Sequence, residues 1–226
     1  MRTSIVIAAY NEEKYIESCI KSLLNQTVPA DEIIVVNNNS TDNTEDIIRK
    51  YPVTLINEEN QGIIPARNTG FDLAKYELIL RTDADTIVPS DWVGRMSTFF
   101  ENNKCDAVVG TVLYFDSLAK VNKQIYSNYL EGIKHILGSY PLIGPNMALT
   151  SEIWKKIRKI ICTDEKIVHE DVDLSIHINE INGVIMYDKN NCAVTSKRRI
   201  IYQPQSFFLE YSHRLLKMKL AHLKHR

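Results

Sequence analysis

The sequence lacks an apolar run long enough to span a bilayer, because no window approaches the roughly 18–20 apolar residues of a membrane-spanning helix. The apolar run near its start, SIVIAA, has only six residues and is followed at once by Tyr10, Asn11 and two glutamates. A signal peptide is therefore not expected. We predict a cytoplasmic protein whose only contact with a membrane would be peripheral.

Cysteine is also scarce, and neither charge sign is in excess. The four cysteines are far apart and form no CxxC or Cys/His ligand spacing. We therefore expect reduced thiols and neither a disulfide framework nor a structural zinc. Lys and Arg number 27 against 28 Asp and Glu, so nothing indicates a nucleic-acid partner.

The chain instead alternates β-rich runs with amphipathic patterns, which is typical of an α/β fold with a parallel sheet. The predicted strands cover residues 3–9, 32–37, 53–57, 77–82, 106–114 and 184–188. The predicted helices cover residues 13–25, 43–50, 64–75, 90–102, 118–138, 151–157, 169–181 and 204–226, and a loop at 139–150 runs into a short strand. We see no repeat or linker, and predict one domain at 1–203 followed by a helix at 204–226.

Polar, turn-prone residues follow three of the predicted strands. They are AYNEE after the first, NNNSTDNT (37–44) after the second, and TDAD (82–85) after the fourth. Taken singly, such residues are common in turns and helix caps. In an open parallel sheet, however, ligands bind at the carboxyl ends of strands. Two carboxylates at i and i+2, Asp83 and Asp85, could there hold Mg²⁺ or Mn²⁺, which prefer oxygen ligands.

Six segments in this order and spacing resemble the family 2 glycosyltransferases with the GT-A fold, over roughly residues 3 to 200. They are SIVIAAYNEEKYIESCIKSLLNQT, DEIIVVNNNSTDNT, NQGIIPARNTGFDLA, LILRTDADTIVPSDW, GPNMALTSEIW and HEDVDLSIHI. The resemblance implies a Rossmann-like, mostly parallel central sheet flanked by helices. It also implies transfer of a sugar from a nucleoside-diphosphate-sugar to a hydroxyl acceptor, with inversion at the anomeric carbon.

The resemblance further implies roles for individual residues. Asp85 would hold the divalent metal, Mn²⁺ or Mg²⁺, Asp83 would lie near the ribose, and Tyr10 would pack on the nucleobase. Asp171 would be the catalytic base. The full set of donor-binding candidates is Ala9, Tyr10, Glu12, Asn38, Arg67, Asp83, Ala84 and Asp85, and the candidates on the acceptor side are Asn146, His169 and Glu170.

Helical periodicity independently favours Asp171 over Asp173. The predicted buried stripe of helix 169–181 consists of Leu174, Ile178 and Ile181, and Asp171 lies one turn before Leu174. The opposite face, Asp173, His177 and Glu180, is predicted to be solvated. Glu170 is also close to the stripe and remains an alternative candidate for the catalytic base. The helix dipole is expected to lower the pKa of a carboxylate at this end.

The chain departs from the family at the base-binding segment, where Asn37-Asn38-Asn39-Ser40 replaces Asp-Asp-Gly-Ser. Asn both donates and accepts hydrogen bonds, so it can still bind a nucleobase. We favour a UDP- or GDP-sugar as donor, and a thymine nucleotide sugar is the alternative. The Q-x-x-R-W signature of processive synthases is missing, which predicts one sugar per encounter. The alternative is a nucleotide-sugar-binding protein without transferase activity. A nucleotidyltransferase is set aside because AAYNEEKY contains no glycine.

From Tyr211 onward the sequence is basic and amphipathic, with five Lys or Arg and no acid. Such a helix either binds an anionic membrane surface or packs with a solvated basic face. The basic run Lys197, Arg198 and Arg199 either extends this patch or contacts an acceptor phosphate. Both features suit a lipid-linked acceptor.

Overall fold

An eight-stranded sheet forms the centre of the protein, as seen in a computed structural model that describes residues 1–115, 119–165, 167–196 and 198. The strands are β1 (Thr3–Ala9), β2 (Glu32–Asn37), β3 (Thr54–Asn57), β4 (Leu78–Arg81), β5 (Thr86–Ile87), β6 (Ala107–Tyr114), β7 (Met147–Thr150) and β8 (Ile185–Thr195). Their order is β3-β2-β1-β4-β7-β6-β8-β5. The first four are parallel, β6 and β8 are parallel, and β7 and β5 run antiparallel to their neighbours. The predicted mostly parallel sheet is confirmed.

Helices cover both faces of this sheet. They are α1 (Ile16–Leu24), α2 (Thr44–Ile48), α3 (Ile63–Leu73), α4 (Trp92–Asn102), α5 (Ala119–Leu137), α6 (Ser151–Ile157) and α7 (Glu170–Glu180), with a 3₁₀ turn at Gly144–Asn146. These elements match the predicted ones to within a few residues. In the described ranges, none of the helices has both the length and the apolar character that crossing a bilayer requires. The predicted helix at 204–226 lies outside the described residues.

Strand β1 shows why its sequence is continuously apolar. Successive side chains of a strand point to opposite faces of the sheet. Ile5 and Ile7 accordingly join the core beneath α1 and α4, whereas Val6 joins the core on the α3 side. Both faces are therefore buried, as the lack of alternation predicts.

The prediction for the faces of α7 is partly wrong. Leu174 and Ile178 are buried as expected, but Ile181 is 37% exposed. Asp173 and His177, predicted to be solvated, are 1% and 5% exposed. The reason is a second cover: the segment before α7 lies against the side that periodicity assigns to solvent, where the Cys162 backbone N–H donates to Asp173 Oδ2 at 2.9 Å.

Candidate active site

The loops that follow β1 and β2 form one connected surface at the carboxyl edge of the sheet. The Asn11 backbone N–H donates to Ser40 Oγ at 3.1 Å, and Asn11 Oδ1 accepts from the Thr41 N–H at 2.8 Å. Asn11 and Asn39 have φ values of 53° and 58°. Asn tolerates this left-handed region better than most side chains, which explains part of the asparagine richness noted in the sequence.

Asn38 ties this surface to the loop after β3. Its amide group donates to the carbonyls of Glu58 and Asn60 at 2.9 and 2.7 Å, and its Oδ1 accepts from the Gly62 N–H at 2.7 Å. An Asp could not make the two donations. Asn38 is 3% exposed, so contact between its side chain and a base would require one of these bonds to break.

The aromatic ring and the two alanines predicted at the donor site differ in exposure. Tyr10 is 50% exposed at this edge, which leaves its ring available for stacking. Ala9 and Ala84 are buried beneath the loops. Of the three, only Tyr10 offers a side chain to a ligand.

The structure brings Asp85 next to the end of β8. Thr86, the residue after Asp85, pairs with Thr195 across β5 and β8, and their hydroxyls lie 3.0 Å apart. The hydroxyls of Thr195 and Ser196 donate to Asp85 Oδ1 and Oδ2. Sequence reasoning missed both, since neither hydroxyl stands in a recognisable motif.

Arg198 lies between two acidic residues of the predicted donor site. Its Nε is 3.1 Å from Asp85 Oδ2, and its Nη1 and Nη2 donate to the carboxylate of Glu12. Burial raises the pKa of Glu12 above its usual value, Arg198 lowers it, and the charges of Asp85 and Asp83 add to the increase. Arg198 therefore contacts two of the predicted donor carboxylates, and the rest of the predicted basic patch lies outside the described residues.

The chemistry of the neighbouring carboxylates suits a divalent cation. Glu12 and Asp85 are mostly buried, Asp83 is partly exposed, and all three offer hard oxygen ligands of the kind that Mg²⁺ and Mn²⁺ prefer. They influence one another electrostatically, and Asp85 and Glu12 already attract a guanidinium. A positive charge is what such a cluster requires to remain ionised.

Two buried arginines hold Glu170. Arg81 makes a bidentate pair with its carboxylate at 2.7 Å for both contacts. Arg67 Nη1 lies 3.0 Å from Glu170 Oε2 and donates to the Glu170 carbonyl at 2.7 Å. The carboxylate is thus engaged in an ion-pair network with both arginines. Arg67, predicted near the donor, contacts this network.

Asp171 is half-buried at the start of α7, and its carboxylate oxygens accept from backbone N–H groups. Oδ2 accepts from Gly144 at 3.0 Å and Oδ1 from Val172 at 2.8 Å. Burial, followed by the charge of Glu170, nevertheless raises the pKa of Asp171 to about 6. The expected lowering by the helix end is therefore wrong, because desolvation outweighs the N–H groups. A carboxylate with this pKa is a better base near neutral pH.

Gly144 joins the two halves of the site. Besides donating to Asp171, it lies against Arg81, which also reaches Asp83 at 3.4 Å. A Cβ at Gly144 would stand 2.7 Å from Arg81 Nη2 and 3.1 Å from Asp83 Oδ1. A larger residue at this position would clash with the guanidinium, and Gly144 thus contacts both the predicted base and the arginine that reaches Asp83.

The other acceptor-side candidates take supporting positions. Asn146 is fully buried, accepts from Trp92 Nε1 at 2.8 Å and donates to the carbonyls of Thr111 and Asn191. A side chain with no exposed surface cannot touch an acceptor, so the prediction for Asn146 is corrected to a structural role. His169 is half-buried and is the N-cap residue of α7.

Sequence reasoning also missed Arg81, although a signal was present. A charged residue at the end of the buried run LILR is rarely found without a partner. Its partner, Glu170, lies 89 residues further along the chain, so no local pattern could identify it.

Comparisons with known proteins agree with this geometry. Residues 4–157 match the family described as Glycosyl transferase family 2. The chain belongs to this family. The predicted family is thereby confirmed. A poly(ribitol-phosphate) beta-glucosyltransferase from Bacillus spizizenii is 38% identical over 119 residues, which cover 49% of this chain and 19% of that protein.

Solved structures show the same fold. The mannosyltransferase PcManGT from Pyrobaculum calidifontis, in complex with GDP-Man and Mn²⁺, superposes with a TM-score of 0.71 at 23% identity over 85% of this chain and 56% of that one. Staphylococcus aureus TarS 1–349 in complex with UDP-GlcNAc gives 0.68 at 18% identity, over 96% and 70%. The predicted GT-A fold is confirmed. The regions matched in four curated relatives span 19% to 36% of those proteins.

Proposed function

We propose that this glycosyltransferase moves one sugar from a nucleoside-diphosphate-sugar to a hydroxyl acceptor with inversion, and that Asp171 is its catalytic base. The observation that carries the proposal is the position of Asp171. It is half-buried, has a pKa raised to about 6, and is linked through Gly144 and Arg81 to Asp83. A second carboxylate at the opposite side of the reaction centre is what inversion by direct displacement requires.

Each residue then has a defined task. Asp171 accepts the proton of the acceptor hydroxyl as its oxygen bonds to the anomeric carbon, and the bond from that carbon to the diphosphate breaks. Glu170 does not compete for this proton because Arg67 and Arg81 hold it. These arginines instead fix the start of α7, and with it the direction in which Asp171 acts.

The donor would bind across the loops after β1, β2 and β4. The exposed ring of Tyr10 stacks on the base, and Asn38 shapes the base pocket through the loop that it holds. Asp85 is the principal ligand of a divalent metal, with Glu12 and Asp83 beside it. When bound, this metal would neutralise the negative charge that develops on the leaving diphosphate. Mn²⁺, GDP-Man and UDP-GlcNAc in the similar structures support a metal and a GDP- or UDP-sugar.

A calorimetric screen of UDP-, GDP- and dTDP-sugars, with and without Mn²⁺, tests the donor half of the proposal. We expect Asp85→Ala to abolish metal-dependent donor binding. Asp171→Asn should retain donor binding but lose roughly 10²- to 10⁴-fold in transfer, which is the usual size of a general-base contribution. Asp46→Asn, an exposed carboxylate on α2, is the matched control. Normal transfer by Asp171→Asn would refute the base assignment.

The acceptor is proposed from the relatives and from the sequence. Names among the relatives include poly(ribitol-phosphate) beta-glucosyltransferase and poly-beta-1,6-N-acetyl-D-glucosamine synthase, which supports a role in assembling a cell-envelope glycan. A lipid-linked acceptor and peripheral attachment to the cytoplasmic face of a membrane would suit the basic tail. Equal activity on soluble and lipid-linked acceptors would argue against that acceptor.

A further inference from the structure

A second group of ligand-forming side chains lies on α7, away from Asp171. It consists of Cys162, from the segment before α7, and Asp173 and His177, one turn apart on the helix. One potential ligand atom from each lies within 4.8 Å of the other two. Asp173 and His177 are buried and Cys162 is half-buried, so this group is not an exposed acidic cluster.

The spacing of these atoms is close to that of a tetrahedral metal site. Bonds of about 2.0 Å to nitrogen or oxygen and 2.3 Å to sulfur place neighbouring ligand atoms roughly 3.3–3.5 Å apart. His177 Nε2 is 3.6 Å from Asp173 Oδ1, near the expected separation. The other separations lie within 4.8 Å, so binding of an ion would require them to contract by up to about 1.5 Å.

Neighbouring groups already orient two of the three ligands. The Cys162 backbone N–H donates to Asp173 Oδ2 at 2.9 Å, which leaves the Oδ1 atom directed at His177. On the other side of the imidazole, His177 Nδ1 lies 2.9 Å from Glu180 Oε2. A carboxylate on one ring nitrogen is the arrangement that fixes the tautomer in which the other nitrogen binds a metal.

We propose that Cys162, Asp173 and His177 form a binding site for a transition-metal ion, with Zn²⁺ as the expected occupant. One sulfur, one nitrogen and one oxygen ligand suit Zn²⁺ better than Mg²⁺ or Mn²⁺, which prefer oxygen. Water would complete the tetrahedron. The site differs in chemistry from the all-oxygen group at Asp85, and the two proposals do not depend on each other.

The consequence of such an ion would be structural. It would attach the segment between α6 and α7 to the helix that begins with Glu170 and Asp171. Cys162 and His177 are 15 residues apart in the sequence and follow no zinc-finger spacing, so the sequence pattern could not indicate this site. The fold alone brings them together.

Cobalt spectroscopy on the full chain tests the site directly. The protein is purified without a metal-affinity tag, stripped with a chelator and titrated with Co²⁺. We expect one equivalent to give a thiolate-to-cobalt charge-transfer band and the intense visible bands of tetrahedral Co²⁺, both lost when Zn²⁺ is added. Asp85→Ala should retain these bands, which separates this site from the donor site.

Variants identify the ligands. Cys162→Ser should lose the charge-transfer band, whereas Cys105→Ser, at another half-buried cysteine, should keep it. Glu180→Gln should weaken Zn²⁺ binding roughly 10- to 100-fold, the usual effect of removing a carboxylate that orients a ligand histidine. Circular dichroism checks each fold, and His177→Gln replaces Cys162→Ser if that variant does not fold. Absence of the band in the wild-type chain, or its persistence in both ligand variants, would overturn the proposal and leave a hydrogen-bonded network.

Discussion

Glu170 is the residue on which the charge balance of the site depends. Its carboxylate is 12% exposed and faces Arg67 and Arg81, whose side chains are 0% and 3% exposed. Burial lowers the pKa of Arg67, and the negative charge of Glu170 opposes this effect by raising that pKa. Two buried cations thus share one anion, and its loss would leave Arg67 without this partner and Arg81 with only the longer contact to Asp83.

Replacing Glu170 therefore has a predictable cost in stability. Breaking a buried ion pair by removing one partner usually costs about 3–5 kcal/mol, and we expect Glu170→Gln to fall in this range by urea unfolding. Glu152→Gln, which removes an exposed pair with Lys156, is the control and should leave the midpoint unchanged. An unchanged midpoint for Glu170→Gln would mean that the arginines are stable without it.

Asp171 should make stability depend on pH. Its folded pKa, about 6, lies above its usual value of 3.8, so the folded protein binds this proton more tightly than the unfolded chain does. This stabilising contribution is present below the usual value and is lost as pH rises through about 6. We expect Asp171→Asn to become more stable relative to wild type over that interval. Parallel pH curves for the two proteins would contradict this.

Protonation of Asp171 should also make the rate of sugar transfer depend on pH, but in the opposite direction from stability. Below a pH of about 6 the base would carry a proton, so kcat/KM of the wild-type enzyme should fall as the medium becomes more acidic. A pH–rate profile measured at saturating metal checks this. An acidic limb positioned far from this pKa would point to another base.

Arg198 should compete with a metal for Asp85 and Glu12. Removing it with Arg198→Ala is expected to strengthen Mn²⁺ binding without donor by up to roughly ten-fold, or about 1.4 kcal/mol. Arg95→Ala, which removes an exposed arginine paired with Asp91, is the control. Titration calorimetry measures both, and weaker binding by Arg198→Ala would show that the guanidinium assists the metal.

At the scale of elements, the joint between β6, β8 and the 3₁₀ turn is closely packed around Gly110 and Asn146. Gly110 stands where the β6–β8 register shifts, and a Cβ there would lie 2.3 Å from Asn146 Nδ2. Asn146 cannot move aside because its amide bonds to Thr111, Asn191 and Trp92. The glycine therefore makes room for the asparagine.

This packing gives a paired prediction. Gly110→Ala should destabilise the protein by about 1–3 kcal/mol, which is the usual cost of overpacking a core. Gly132→Ala on α5 meets nothing within 4 Å and should stabilise by about 0.5–1 kcal/mol, because alanine favours a helix. Thermal unfolding of both variants provides the comparison. Equal stability changes in the two variants would mean that the Asn146 side chain moves to make room for the new methyl group.

The elements also show how far the sequence could predict the fold. Apolar runs and amphipathic stripes identify β1 to β4 and most helices because these patterns are local. The two-residue β5 and the extension of β8 to Thr195 were missed, since they depend on pairing between Thr86 and Thr195. The buried acids and histidine of α7 were misassigned because periodicity assumes that a helix has one covered face.

The candidate site rests partly on local signals. Strand ends point to Asp83 and Asp85, helix periodicity points to Asp171, and the family resemblance points to all three. Their partners Arg81, Gly144 and Arg198 act through contacts between distant segments. No local pattern contains such contacts.

For the whole molecule, the basic tail carries a prediction that the described residues do not test. We expect the full chain to co-sediment with vesicles containing anionic lipid and not with neutral ones. Substituting Lys217, Lys219 and Lys224 with Gln should weaken this binding in proportion to the charge removed. Binding that is equal for both vesicle types would exclude electrostatic attachment.

The pair formed by Arg81 and Glu170 also determines how this chain can be recombined with its relatives. Arg81 belongs to the half that holds the donor candidates, and Glu170 to the half that holds the base. A chimera that exchanges everything after β5 for the corresponding part of another enzyme would inherit one member of the pair without the other. Such an exchange would preserve the buried ion-pair network only if Arg67, Arg81 and Glu170 are compatible across the junction.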